Sequence, residues 1–261
     1  MANTSHKSYF DEEHNPKDLL ESHFSQEDVE IIDETMKEPA KRLHEVFSSG
    51  LVKGKTLLNV SIGSMVYPLI SASNFFSDIY VIDTTDASVN HFKQWLKKGD
   101  EATDWSFVFK LVCQLEGNPA GWKEKEEQVR RAIKRVDLYN PFDSACTDSV
   151  VLPQLDCVIM VFLLQVICKT KEDFRKNLKT FTSWLKIGGH LVSLFAINMT
   201  FYRVGEQKFS SLTMDEKFMR EELANAGFEI VKEEILPTSI ETDLVDYKNF
   251  YFSVVRKVRN P

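Results

Sequence analysis

The chain has 261 residues, 43% of them apolar and 27% charged, an ordinary globular composition with enough apolar side chains for a large core. A net charge of −7 argues against nonspecific binding to nucleic acid or to an anionic membrane surface. No stretch offers ~18 consecutive apolar residues, which argues against a membrane span, and the polar opening MANTSHKSYFDEEHNPKD lacks the apolar segment of a signal peptide.

Residues 1–14 read as a loose polar segment, and Lys17 to Phe24 has helical spacing. Ser25, with Asp28 three positions on, reads as a capping box that opens a longer helix through about Val46. Gly50 and Gly54 bracket a turn into a strand over 56–62, followed by a helix around 66–73. DIYVID is a short strand ending at Asp83, and Asp86 caps a helix that runs to Lys98. Two helical pieces share 107–135, broken at Gly117-Asn118-Pro119; Val136–Leu138 gives a third strand and 141–153 a loop. The run LDCVIMVFL, 155–163, suits a strand buried on both faces. Lys171 to Lys186 is helical, Gly188-Gly189 turns the chain, and HLVSLFAI is another central strand. A helix over 214–226 ends at Gly227, which suits a left-handed cap. FEIVKEEIL and FYFSVVRKV have no helical pattern between them, so an antiparallel pair is expected. Strands alternating with helices predict an α/β, doubly wound sheet. The expected organisation is one domain over 1–261, with an N-terminal helical lid (1–50) and an inserted helical pair (107–135).

Cys113, Cys146, Cys157 and Cys168 show no C-x-x-C spacing, and the six histidines form no ligand cluster. Reduced thiols, a cytoplasmic location and no metal are expected. The stretch LLNVSIGSMVYP, 57–68, has the form of the first strand and turn of a nucleotide-binding α/β domain. Such turns carry two or three glycines, because backbone amides must come close to the ligand. Here Gly63 stands with Met65 where a further glycine is expected. Asp83 follows Gly63 by twenty residues, the spacing of an acid that binds ribose hydroxyls, although an acid there can equally cap the next helix.

The blocks WLKK (95–98), LEGN (115–118), EKEE (124–127), LDCV (155–158) and VGEQKFSSL (204–212) occur in a telling order. Through them the chain resembles, over nearly its whole length, the vertebrate nicotinamide, indolethylamine and phenylethanolamine N-methyltransferases. The resemblance implies a seven-stranded, Rossmann-like methyltransferase sheet, S-adenosylmethionine as cofactor, and a small planar amine, pyridine or indole as acceptor. Methyl transfer of this kind depends on near-attack placement more than on acid–base chemistry, so no catalytic residue is named. On the cofactor side the resemblance implies Gly63, Ser64, Tyr67, Asp83 and Asn140, with Asp137 as an alternative to Asn140. On the acceptor side it implies Phe24, Phe195, Tyr202 and Ser211, with Phe201 in the same aromatic wall.

The departures from the family pattern fall on the same site. The family loop resembles D-I-G-S-G-P-T-x-Y, whereas this chain reads Ser61-Ile62-Gly63-Ser64-Met65-Val66-Tyr67, two residues shorter. Leu19, His23 and Phe24 stand where the family's lid carries tyrosines, and Gln165 and Phe195 stand where it carries acids. Taken singly, Met65, Phe24 and Phe195 read first as packing residues. Taken together they leave two functions open: an active N-methyltransferase with a variant loop, and a pseudoenzyme that keeps the fold as a binding or structural protein. A pocket without its acids is expected to prefer neutral planar ligands to cationic amines.

Overall fold

A computed structural model describes residues 15–24, 29–140, 150–238 and 240–260. The segment 1–14, the Ser25/Asp28 capping box, Cys146 and most of the 141–153 loop lie outside the described residues.

Helix α1 (Pro16–Phe24) buries Leu19, Leu20, His23 and Phe24 on one face. The long helix expected to reach Val46 is interrupted: α2 (Val29–Ile32) runs into a π-helical turn, Asp33–Lys37, before α3 (Glu38–Ser48). Pro39 accounts for the break. It has no N–H for the carbonyl of Thr35 four residues back, and the Tyr67 hydroxyl donates to that carbonyl at 3.2 Å.

Strand β1 (Thr56–Ser61), helix α4 (Leu69–Ala72), strand β2 (Asp78–Asp83) and helix α5 (Asp86–Leu96) follow. The cap of α5 is Thr85, whose side chain accepts from the Ser88 N–H, rather than the expected Asp86. Helices α6 (Ser106–Leu115) and α7 (Trp122–Ala132) flank a 3-10 turn at Pro119–Gly121. Strand β3 (Ile133–Leu138) starts inside the span expected to be helical. Next come β4 (Leu155–Val161), the short α8 (Leu164–Ile167), α9 (Lys171–Ser183) and β5 (Leu185–Ile197). A hairpin that the sequence reading did not contain, β6 (Phe201–Val204) and β7 (Gln207–Ser210), turns at Gly205 with φ +57°. Helix α10 (Glu216–Asn225) leads through Gly227, at φ +87°, to β8 (Phe228–Pro237) and β9 (Asn249–Lys257).

Seven strands form one sheet in the order β3-β2-β1-β4-β5-β9-β8. The first five are mutually parallel, while β9 runs antiparallel to β5 and β8 antiparallel to β9. Leu58 pairs with Tyr80 on one side and Val158 on the other, so β1 is central. β1 and β4 are buried along nearly their whole length, which is why they read as continuous apolar runs. The strand order reverses between β1 and β4, and ligands of such sheets bind at the carboxyl ends beside that reversal. Among the described residues no helix is long and apolar enough to cross a membrane.

Candidate functional site

Backbone strain marks the same end of the sheet. Four described non-glycine residues have positive φ, and three of them, Ser64, Phe162 and Asn198, follow the carboxyl ends of β1, β4 and β5. Such conformations persist where surrounding contacts over-determine them.

Those contacts are explicit at the β1 turn. Gly63 sits at φ +71° and Ser64 at φ +59°. The Ser64 N–H donates to Asp83 Oδ2 at 2.8 Å, and its hydroxyl donates to the Gly63 carbonyl at 2.6 Å. Because that single hydroxyl proton is used, His91 Nδ1, 2.6 Å from Ser64 Oγ, must be the donor to it. His91 Nε2 then accepts from the Thr103 hydroxyl at 3.2 Å. Burial, reinforced by the charge of Lys17, lowers the His91 pKa and favours this neutral form.

Asp83 is fully buried at the end of β2. Oδ1 accepts the Thr84 N–H at 2.7 Å while Oδ2 holds Ser64. Burial pushes its pKa up to about 7, against the opposing pull of these backbone donors. Leu19 closes the turn from the α1 side: a β-carbon on Gly63 would lie 2.4 Å from Leu19 Cδ2. Met65 and Tyr67 are also buried. Tyr67 is turned toward α2–α3, its hydroxyl on the Thr35 carbonyl and its pKa raised by burial. Asn140 comes one residue after Tyr139, whose N–H donates to the Asp83 carbonyl at 2.9 Å, so it flanks the same strand ends. The alternative, Asp137, is engaged on the surface by Arg135 at 2.6 Å.

Beside the turn lies a cavity of about 70 Å³. Leu19, His23 and Phe24 of α1 form one wall, and Ile62 and Met65 from the β1 turn form another. Gln165 and Val166 of α8, Tyr202 of β6, and Phe162 and Phe250 complete the enclosure together with neighbouring apolar groups. α1 is tied to the hairpin: His23 Nε2 donates to the Arg203 carbonyl at 2.6 Å, and the Gly205 N–H donates to Ser22 Oγ at 2.9 Å.

Phe24 and Tyr202 therefore line the cavity as the sequence reading placed them. Phe195 does not. It lies on the opposite face of β5, its ring centroid 6.1 Å from that of Phe174, while its neighbour Ala196 faces the cavity. Ser211 is also off the cavity, its hydroxyl donating to the Gln165 carbonyl at 3.2 Å. Phe201 stands outside as well, beneath the Lys208 ammonium at 3.6 Å. The sequence reading missed His91 and Thr103. The available signal was a histidine on the helix that begins just after Asp83.

With this geometry in hand, known proteins are informative. A sequence profile of the NNMT/PNMT/TEMT family matches residues 2–258. The chain belongs to the NNMT/PNMT/TEMT family. It is 34% identical to nicotinamide N-methyltransferase of Homo sapiens over 250 residues, covering 95% of this chain and 94% of that one. It is 33% identical to indolethylamine N-methyltransferase of Oryctolagus cuniculus over 248 residues, covering 93% and 92%. In three dimensions it resembles N-methyltransferase NodS from Bradyrhizobium japonicum WM9 in complex with S-adenosyl-L-homocysteine. That match has a TM-score of 0.53 and 13% identity, and covers 94% of this chain and 100% of that one. The fold is that of the S-adenosylmethionine-dependent methyltransferases. S-adenosylmethionine is the cofactor that family and fold support for this NNMT/PNMT/TEMT member.

At the β1 turn the chain's own groups engage one another. Leu19 covers Gly63, the Ser64 amide is spent on Asp83, and neither Asp83 oxygen is exposed to receive a ribose hydroxyl.

Proposed function

We propose that this chain is a small-molecule N-methyltransferase-family protein with a much weakened hold on S-adenosylmethionine. Methyl transfer to an amine or pyridine nitrogen is then weak or lost, and what survives is the capacity to hold a small planar molecule. The observation that carries this reading is the packing of Leu19 on Gly63 above a sealed Asp83. Cofactor turns of this kind work by exposing backbone amides to the ligand. Each ligand hydrogen bond that is lost costs about 1 kcal/mol, and several together lower affinity by orders of magnitude. A calorimetric titration with S-adenosylhomocysteine tests the reading: no binding is expected in the micromolar range, and a micromolar or tighter Kd would sink it.

One observation favours a second reading, an active enzyme. Gly63, Ser64, Asp83 and Asn140 remain grouped at the carboxyl ends of β1, β2 and β3, and it is a side chain of the nine-residue α1 that covers Gly63. Displacement of α1 would uncover the turn. On this reading the acceptor resembles those in the relatives' names, nicotinamide or an indolethylamine. Label passed from radioactive S-adenosylmethionine to either would support it. The described cysteines, Cys113, Cys157 and Cys168, are buried and unpaired, which supports a reducing compartment such as the cytoplasm.

A further inference from the structure

We propose that Gln165 makes the cavity selective for neutral, flat molecules that present an N–H or O–H donor; this rests on the reading that the cavity still holds a small ligand. The Gln165 side-chain oxygen is buried and has no hydrogen-bond partner. A buried acceptor left unpaired is costly, and a ligand donor placed against it recovers that cost.

The residue is held for the task. Its backbone carbonyl accepts both the Ser211 hydroxyl at 3.2 Å and the Leu212 N–H at 2.8 Å, which fixes α8 against the hairpin. Two other polar groups on the wall, Thr35 and His23, are already committed. The Thr35 hydroxyl lies 2.9 Å from the His23 carbonyl and 2.7 Å from that of Ile31, and His23 Nε2 is on Arg203. Burial keeps His23 neutral by lowering its pKa. Among the described residues that line the cavity none carries a carboxylate. A cationic amine would therefore be desolvated with no counter-charge, whereas a neutral ring meets Phe24, Phe162, Tyr202 and Phe250. The space is small, since a cavity of roughly 150 Å³ is what holds a benzene ring in an engineered core. A two-ring ligand therefore enters by displacing the flexible Met65 and Met199 side chains of the wall, with α1 kept in place.

Indole and benzofuran form the matched pair of probes: they share a shape, but indole donates through N–H where benzofuran has an ether oxygen. In calorimetric or ligand-observed NMR titrations of the full chain without cofactor, indole is expected to bind about five- to tenfold more tightly than benzofuran. Gln165→Met, similar in length and apolar, should abolish the preference while retaining benzofuran binding. Gln165→Glu, which keeps an acceptor, should preserve it and admit tryptamine. Equal or tighter binding of benzofuran to the unaltered chain would overturn the proposal. So would a preference for indole that survives Gln165→Met, or failure of both probes to bind. A parallel titration with S-adenosylhomocysteine reads the cofactor question separately, because neither probe contacts require it.

Discussion

The two halves of the site answer their polar groups differently. At the β1 turn the chain satisfies itself: Ser64 serves Asp83, Gly63 and His91, and Leu19 fills the open face of Gly63. At the cavity the wall is almost wholly apolar, and the Gln165 oxygen is left without a partner. Hydrogen bonds already made inside the chain offer a ligand nothing, because binding must first break them. An unanswered acceptor in apolar surroundings offers it a good deal. On the proposed reading, the recognition chemistry that remains therefore lies at the cavity.

The largest expected effect separates packing from binding. Phe195 belongs to the far face of β5, so Phe195→Ala should cost about 3–5 kcal/mol in urea unfolding and leave indole affinity unchanged. The transition should remain single, as one domain over 1–261 requires; two transitions would break that domain reading, and a loss of indole binding would return Phe195 to the site.

Asp83 sharpens the other half. Its folded pKa of about 7 lies above the ordinary carboxylate value. The native state therefore holds a proton that the unfolded chain releases near pH 4, and stability from this group is lost as pH rises from about 4 to 7. Relative to Asp83→Asn, the unaltered protein should lose on the order of a few kcal/mol between pH 5 and pH 8, read by unfolding at both. A flat difference would mean that Asp83 is ionised throughout and better solvated than its burial indicates. The smallest effect is expected at Ser211. Ser211→Ala should cost about 1 kcal/mol of stability and narrow the indole preference without abolishing it, since the Leu212 N–H still holds the Gln165 carbonyl. An unchanged preference would show that Ser211 does not position Gln165.

The sheet was legible because its strands are apolar runs punctuated by glycine, and LDCVIMVFL and HLVSLFAI could hardly be read otherwise. The β6–β7 hairpin was not, because RVGEQKFS is polar, and the bonds that hold its Arg203 carbonyl and Gly205 N–H against α1 come from residues some 180 positions away. Phe195 was misplaced for a geometric reason: side chains alternate along a strand, so the difference between Phe195 and Ala196 is the difference between two faces of the sheet. The bond from the Tyr67 hydroxyl to Thr35 was not legible either, because no local pattern tells that Pro39, 28 positions earlier, frees the Thr35 carbonyl for it. Gly63, Ser64 and Asp83, expected on the cofactor side, do lie together in the structure. That they bind each other is a matter of side-chain direction, which spacing does not record.

The most direct test of the central claim is S-adenosylhomocysteine affinity in the unaltered chain and in Leu19→Ala, measured by calorimetry on the same day and in the same buffer. Removing the side chain that covers Gly63 costs stability, about 2–5 kcal/mol, yet should improve affinity by at least about tenfold, or 1.4 kcal/mol. Tight binding by the unaltered protein, with no gain in Leu19→Ala, would contradict the account and make the chain an ordinary cofactor-binding member of its family.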